Sequence, residues 1–452
     1  MATMRLATIG LLVLGLSGCA SVFTNYPAQA DKLVQQYQNG QVTAVVTDLS
    51  QKLDERDGLL YALELGRLAQ LGGDVEASMN AFNTAIQRFD QRDEQAKLRA
   101  SGAVAGSAAM LTNDNALPYK GDDYERIFAH SYQALNYLHQ RNAEGAAVEL
   151  RRANLEQTVA AQRREKAIAK AEKKAEKEDV EPGSFDSEFA GLNAAAGRVK
   201  NSFQNAYTFY LSAVFWEAAG DYNAALVDMK KAFEINPDAL FIESDIKRVR
   251  RRQGDRVDGA HLPGKGEGSL VVLFEQGRVA AKREIKIPIP TIHGAFAVAF
   301  PTYNASDIPA AVPLTVVDTA GEGLLRTQVI AEVAAMAARS LKEEIPGMLV
   351  RQTLRAASKY AVQKQANDAN LFAGLATNLY NLVSENADLR SWLTLPAYIQ
   401  AGRSIVPAGQ KSIMLSGAGV NQALDIEVSP GGTTVVRVIT TGGVPKVETY
   451  RL

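Results

Sequence analysis

The residue types that carry chemistry are few and scattered along this chain. Cys19 is the only cysteine, so no disulfide can form within the chain and no cysteine-based metal site is available. His130 and His139 stand nine positions apart in one helical stretch, which is not a ligand spacing on one helix face, while His261 and His293 fall in a linker and at a strand edge. The chain has no His-Glu-x-x-His, no Gly-x-Ser-x-Gly elbow and no phosphate loop. Residues 264–268 are glycine-rich but lack that loop's spacing and a preceding strand, so they read as a linker. With 50 Asp and Glu, a metal site or a facing carboxylate pair assembled only by folding stays open. No cofactor is expected. Two loops combine rings and charges. In the first, Tyr119, Lys120, Asp122, Asp123 and Tyr124 precede a helix, either as a partner contact or with an aspartate capping that helix. In the second, Arg390 and Trp392 follow Asp388; an Arg–carboxylate pair beside the Trp latches helices to a sheet, or the group is an exposed binding patch.

Cys19 has a context of its own. Residues 1–5 carry one positive charge and residues 6–15 are apolar but shorter than the about 20 residues that span a bilayer. This is the pattern of a secretory signal over 1–18, to be set aside before the fold is considered. The run Leu16-Ser17-Gly18-Cys19 resembles the lipobox of bacterial lipoproteins. That resemblance implies cleavage before Cys19 and acylation of it, with two or three chains holding the protein stably at a membrane. Ala20, rather than Asp, follows the cysteine, which resembles cargo sorted to the outer membrane. Residues 19–27 then act as a tether. The formal net charge of -1 provides no field that draws nucleic acid.

The elements behind the anchor divide into two patterns. From 28 to 252 the apolar period is helical and repeats itself. Residues 209–237, with Ala213, Trp216, Gly220, Tyr222, Ala225, Ala232 and Pro237, resemble a tetratricopeptide repeat. Looser copies surround Gly40, Gly73 and residues 134–153, and the spacing places Ala225 where two helices cross. A charged stretch at about 160–185 has almost no apolar stripe and reads as a helix solvated on all sides and held by i,i+4 charge pairs.

After a linker at 253–268 the period becomes alternating. Residues 269–274 and 279–288 read as a strand pair around 275–278, with further strands through to 439. Helices at 327–344, 346–364 and 370–384 form an insertion at about 327–385, with Pro346 at a helix start. The expected class is α+β: a tetratricopeptide-like α-helical repeat domain followed by a β-sandwich-like, antiparallel domain at 269–452.

The lipobox, residues 117–126, residues 270–277 and residues 388–396 together resemble a family of uncharacterised proteobacterial tetratricopeptide-repeat lipoproteins. The resemblance spans nearly the whole chain and brings no catalytic residue with it. The expected role is a periplasm-facing, lipid-anchored scaffold or adaptor without enzymatic activity. It would meet the outer membrane through acyl chains and other envelope proteins through its repeat surface, in cell-wall synthesis or secretion. The alternative is an envelope hydrolase or lipid-handling protein whose site assembles only in the fold.

Overall fold

The computed structural model describes residues 25–101, 115, 117–177, 182–291, 294–369, 386–441 and 444–452. The expected signal segment, Cys19, most of the expected tether, His293 and the helix expected at 370–384 lie outside the described residues.

The chain is mixed α+β, helical in its N-terminal part and sheet-forming in its C-terminal part. The helices are α1 (Tyr26–Gln38), α2 (Val42–Gln51), α3 (Gly58–Gly72), α4 (Val75–Ser101), α5 (Asp123–His139), α6 (Ala143–Lys177), α7 (Ala190–Ala196), α8 (Ala206–Ala218), α9 (Tyr222–Ile235) and α10 (Leu240–Arg252). A common turn joins α3 to α4, α5 to α6 and α8 to α9. One residue takes positive φ, namely Gly73 at 85°, Arg141 at 56° and Gly220 at 80°. The next N–H then reaches back: Asp74 to Ala69 O at 2.9 Å, Asn142 to Tyr137 O at 2.8 Å and Asp221 to Trp216 O at 2.9 Å. That bond closes the first helix in a left-handed cap. The same Asp or Asn side chain caps the second helix, accepting from Ala77 N at 3.0 Å, Gly145 N at 2.8 Å and Ala224 N at 3.0 Å. Two adjacent residues therefore stop one helix and start the next. Ala225 is fully buried on α9, which packs along α8.

The charged stretch is no separate arm. It continues α6 to 35 residues, and its Gln157, Ala160, Arg164 and Ala175 are buried. Helix α11 (Val333–Ala369) packs against it. The expectation of a helix solvated on all sides is thus corrected: small and apolar residues at 160, 168, 171 and 175 give it a docking face.

The strands are β1 (Glu267–Gln276), β2 (Arg283–Thr291), β3 (Gly294–Thr302), β4 (Thr315–Asp318), β5 (Gly323–Arg326), β6 (Gln328–Ala331), β7 (Tyr398–Pro407), β8 (Gly409–Gly417), β9 (Val420–Val428), β10 (Thr433–Ile439) and β11 (Lys446–Arg451). They form a five-stranded sheet β11-β10-β1-β7-β6, a four-stranded sheet β5-β4-β8-β9 and the hairpin β2-β3. Four sequence expectations change here. Residues 269–274 do not pair with 279–288. β1 lies between β10 and β7, and after Gly277 the chain leaves the sheet, with Val279 N–H donating to Leu395 O at 2.9 Å. The large sheet is not wholly antiparallel, because β10 runs parallel to β1 after a connection long enough to return the chain. The insertion does not open as a helix at 327, since residues 328–331 are strand β6. Pro346 lies inside α11, not at a start. A proline costs one helical hydrogen bond, yet the helix continues, anchored by Met336, Leu341, Ile345, Leu349 and Val350 buried on both sides of it.

Period-two alternation gives β1 two buried faces. Leu270, Val272 and Phe274 share a core with Val316, Ile413, Leu415 and Ile426 of the four-stranded sheet and with Leu314 just before it. Val271 and Leu273 share the other core with Phe82, Tyr132, Tyr207 and Trp392. That second core runs without a break from helices to sheet.

Candidate functional site

Two regions bring titratable groups together. The first is the seam between helices and sheet. Helix α3 is apolar almost all round, yet Glu64, Arg67 and Gln70 lie buried within it. Arg67 and Arg437 of β10 both pair with Glu275 of β1, the latter at 2.6 Å. The Tyr132 ring of α5 faces both guanidinium groups, at 4.5 and 5.3 Å. On α8, Glu217 pairs with Arg248 at 2.9 Å and Arg403 of β7 at 2.7 Å. Burial opposes its ionisation, but Arg403 and Arg248 outweigh that and hold the carboxyl at about 2.

Through this seam runs the segment 388–395. Trp392 N–H donates to Glu125 at 2.8 Å, Leu393 N–H to Glu64 at 2.8 Å, and Tyr26 Oη also to Glu64 at 2.8 Å. Glu125 further accepts Asp122 N–H at 3.0 Å and the Tyr119 hydroxyl at 2.7 Å. Burial, then the neighbouring Asp122, push the Glu125 carboxyl up to about 7, while these donors restrain it. Such a carboxyl is the kind a catalytic site would use. Here both of its oxygens are committed to positioning the chain.

The expected partner contacts are corrected by burial. Tyr119 is 6% exposed, Tyr124 1%, Arg390 7% and Trp392 0%. Arg390 binds Asp57 at 2.6 Å, Asp388 at 2.6 Å and Leu117 O at 2.9 Å. The Trp392 ring packs on Phe82 and Tyr132, both centroids at 5.9 Å. These four side chains are buried in the folded chain. Tyr119 and Tyr124 are aromatic because they fill the base of α5. Arg390 and Trp392 tie the segment to the helices.

Lys120, Asp122 and Asp123 remain, and they border the second region, a cleft of about 170 Å³ between α4, α6, α11 and the loop before α5. Asp122 is the N-cap of α5, and its side chain accepts from Ser340 of α11 at 2.9 Å. Asp123 pairs with Arg163 and, at 3.4 Å, with Arg164. Lys120 reaches Glu344 at 2.6 Å and keeps 59% of its side chain in solvent. Burial works against the Glu344 charge, but Lys120 and Arg164 hold its carboxyl at about 2.

Sequence reasoning did not single out Arg92, Arg126, Arg163 and Arg164, which line the same cleft. Arg126 is paired with Asp90 and Asp93, each at 2.6 Å, and with Glu156 at 3.1 Å. Arg92 differs. Among the described residues it has no ion pair or side-chain hydrogen bond, and it is half-buried. Burial lowers its pKa, Arg126 and Arg163 lower it further, and Asp93 offsets this only in part. The one available signal was the Arg92-Asp93 pair following an apolar face on a long helix, which is too common to find a site.

No group of His, Cys, Asp and Glu suited to a metal ion is present among the described residues. No family model, curated protein or solved structure matches the chain.

Proposed function

We propose that this protein is a lipid-anchored adaptor, held by acylated Cys19 at the outer membrane and facing the periplasm, that binds a partner envelope protein and catalyses no reaction. In this reading the helix pairs are a tetratricopeptide-like stack and the two larger sheets a sandwich-like body. A free stack offers partners an extended concave surface. Here α3, α5 and α8 spend that side on their own sheet, through Arg67–Glu275, Tyr132–Glu275 and Glu217–Arg403. The partner is therefore met from outside, at the Lys120 cleft.

The observation that carries this reading is Arg92. Every other cation of the cleft has a carboxylate partner, while Arg92 lines the cleft without one among the described residues. An acidic side chain or chain terminus of a partner supplies the missing charge, and a guanidinium can take it with two parallel hydrogen bonds.

A photo-crosslinking residue placed at Lys120 in intact cells tests this. A discrete adduct is expected, reduced several-fold by Arg92→Gln, and the melting temperature of that variant, measured alongside, separates lost capture from lost fold. Tyr119→Ala should lower the melting temperature, because Tyr119 is internal. Capture that ignores Arg92→Gln rejects the cleft as the contact.

A further inference from the structure

The outward side of α6 carries a second pattern. With about 100° of turn per residue, Val148, Arg152, Leu155, Val159, Lys166, Lys170, Lys173 and Lys177 fall within an arc of roughly 60°. All eight are exposed, and the aliphatics are 42%, 60% and 36% exposed. The buried residues of the helix, among them Ala153, Gln157, Ala160, Arg164 and Ala175, lie on the opposite side. The stripe is about 44 Å long, aliphatic apart from Arg152 in its first half and lysine in its second.

Its lysines are not the cross-linked pairs expected of a solvated helix. Lys166 and Lys170, Lys170 and Lys174, and Lys173 and Lys177 stand four apart, as do Glu172 and Glu176. Like charges at that spacing destabilise a helix. Glu165, Glu172 and Glu176 gather on one flank of the stripe, and among the described residues none of Lys166, Lys170, Lys173 and Lys177 has an ion pair. Positive charge is thus concentrated along a line, with Glu176, three positions from Lys173, the one carboxylate among the described residues at helical pairing distance from any of the four.

We propose that this stripe lies on the surface of an anionic phospholipid bilayer. The contact is straight and convex, so it suits a flat sheet of phosphates better than a chain that must be enclosed. Aliphatic side chains in line with lysines match an interface in which the former enter the acyl boundary and the latter reach the phosphates. The proposal rests on the anchor reading only in that an acylated Cys19 keeps the helix within reach of a membrane; the lipid contact itself is a property of α6.

The test uses the chain from residue 19 onward as Cys19→Ser, without acyl groups, sedimented with vesicles. One set is phosphatidylcholine alone and the other is phosphatidylcholine and phosphatidylglycerol in equal parts. Binding to the mixed vesicles alone is expected, and it should weaken as salt screens the lysines. The combined substitution K166Q, K170Q, K173Q and K177Q should lower the partition coefficient about tenfold or more. Arginine at the same four positions should retain it, which separates loss of charge from loss of fold. Equal binding to both vesicle types, indifference to the glutamine substitutions, or binding to polyglutamate but not to vesicles would overturn the proposal, the last in favour of an acidic protein. Because the chain tested has no acyl group, failure here leaves the lipidation of Cys19 standing, and failure of lipidation leaves this result standing.

Discussion

Glu125 accepts the backbone N–H of Trp392 at 2.8 Å, across 267 positions of sequence. Glu64, one helix pair earlier, accepts the N–H of the very next residue, Leu393, at 2.8 Å. Two carboxylates from two helices thus fix consecutive peptide groups of the segment that enters β7. This joint is what makes helices and sheets one body.

Glu64→Ala removes the acceptor for Leu393 N–H, Thr394 Oγ1 and Tyr26 Oη together. Buried donors left without a partner cost about 1–3 kcal/mol each, and partial relaxation makes about 2–4 kcal/mol the expected loss. Urea unfolding of the variant measures it. A loss below about 0.5 kcal/mol, the range of surface changes, would mean that the segment is held by packing alone.

Glu275→Gln addresses the sheet side of the same seam. The Arg67 and Arg437 side chains are fully buried and share this carboxylate. Neutralising it leaves two guanidinium groups uncompensated, although Glu448 at 2.9 Å still serves Arg437. Breaking a buried pair typically costs about 3–5 kcal/mol. Helix and sheet signals should then be lost at a lower denaturant concentration, still in one transition. Separate transitions in the wild type would contradict a shared core.

The Glu125 carboxyl gives a pH dependence of known sign. Its folded value of about 7 lies above the ordinary 4.5. Between those values the folded state holds a proton that the unfolded chain releases. The contribution of Glu125 to stability is therefore full below about pH 4.5 and is lost as pH rises to about 7. Glu125→Gln cannot titrate. The stability gap between wild type and this variant should narrow as pH rises from about 5 to about 7. A constant gap would place the carboxyl at its ordinary value.

The local grammar of the chain was legible where short-range chemistry decides the structure. Gly73-Asp74 and Gly220-Asp221 announce a helix stop and a helix start in adjacent letters, and Asp122 precedes the first turn of α5. What the sequence concealed was long-range. Glu64 and Arg67 look like surface residues until Leu393 and Glu275 arrive from more than 200 positions away. The parallel pairing of β1 with β10 has no local signature, because it depends on a connection through β7, β8 and β9. Rings beside charges at 119–124 and 390–392 allowed either an exposed patch or a cap and a latch, and the structure has Asp122 as the cap and Arg390–Asp388 as the latch. The same composition serves a buried joint whose polar groups must all find partners, and only burial distinguishes the two. At α6 the composition of alanine, lysine and glutamate suggested mutual pairing, whereas the spacing places like charges four apart.

The most direct measurement is metabolic labelling with palmitate in intact cells, followed by membrane fractionation, for the wild-type chain and Cys19→Ser. Label and membrane association are expected in the wild type, and label should vanish in the variant. Label persisting in Cys19→Ser, or absent from the wild type, would contradict a lipid-anchored adaptor.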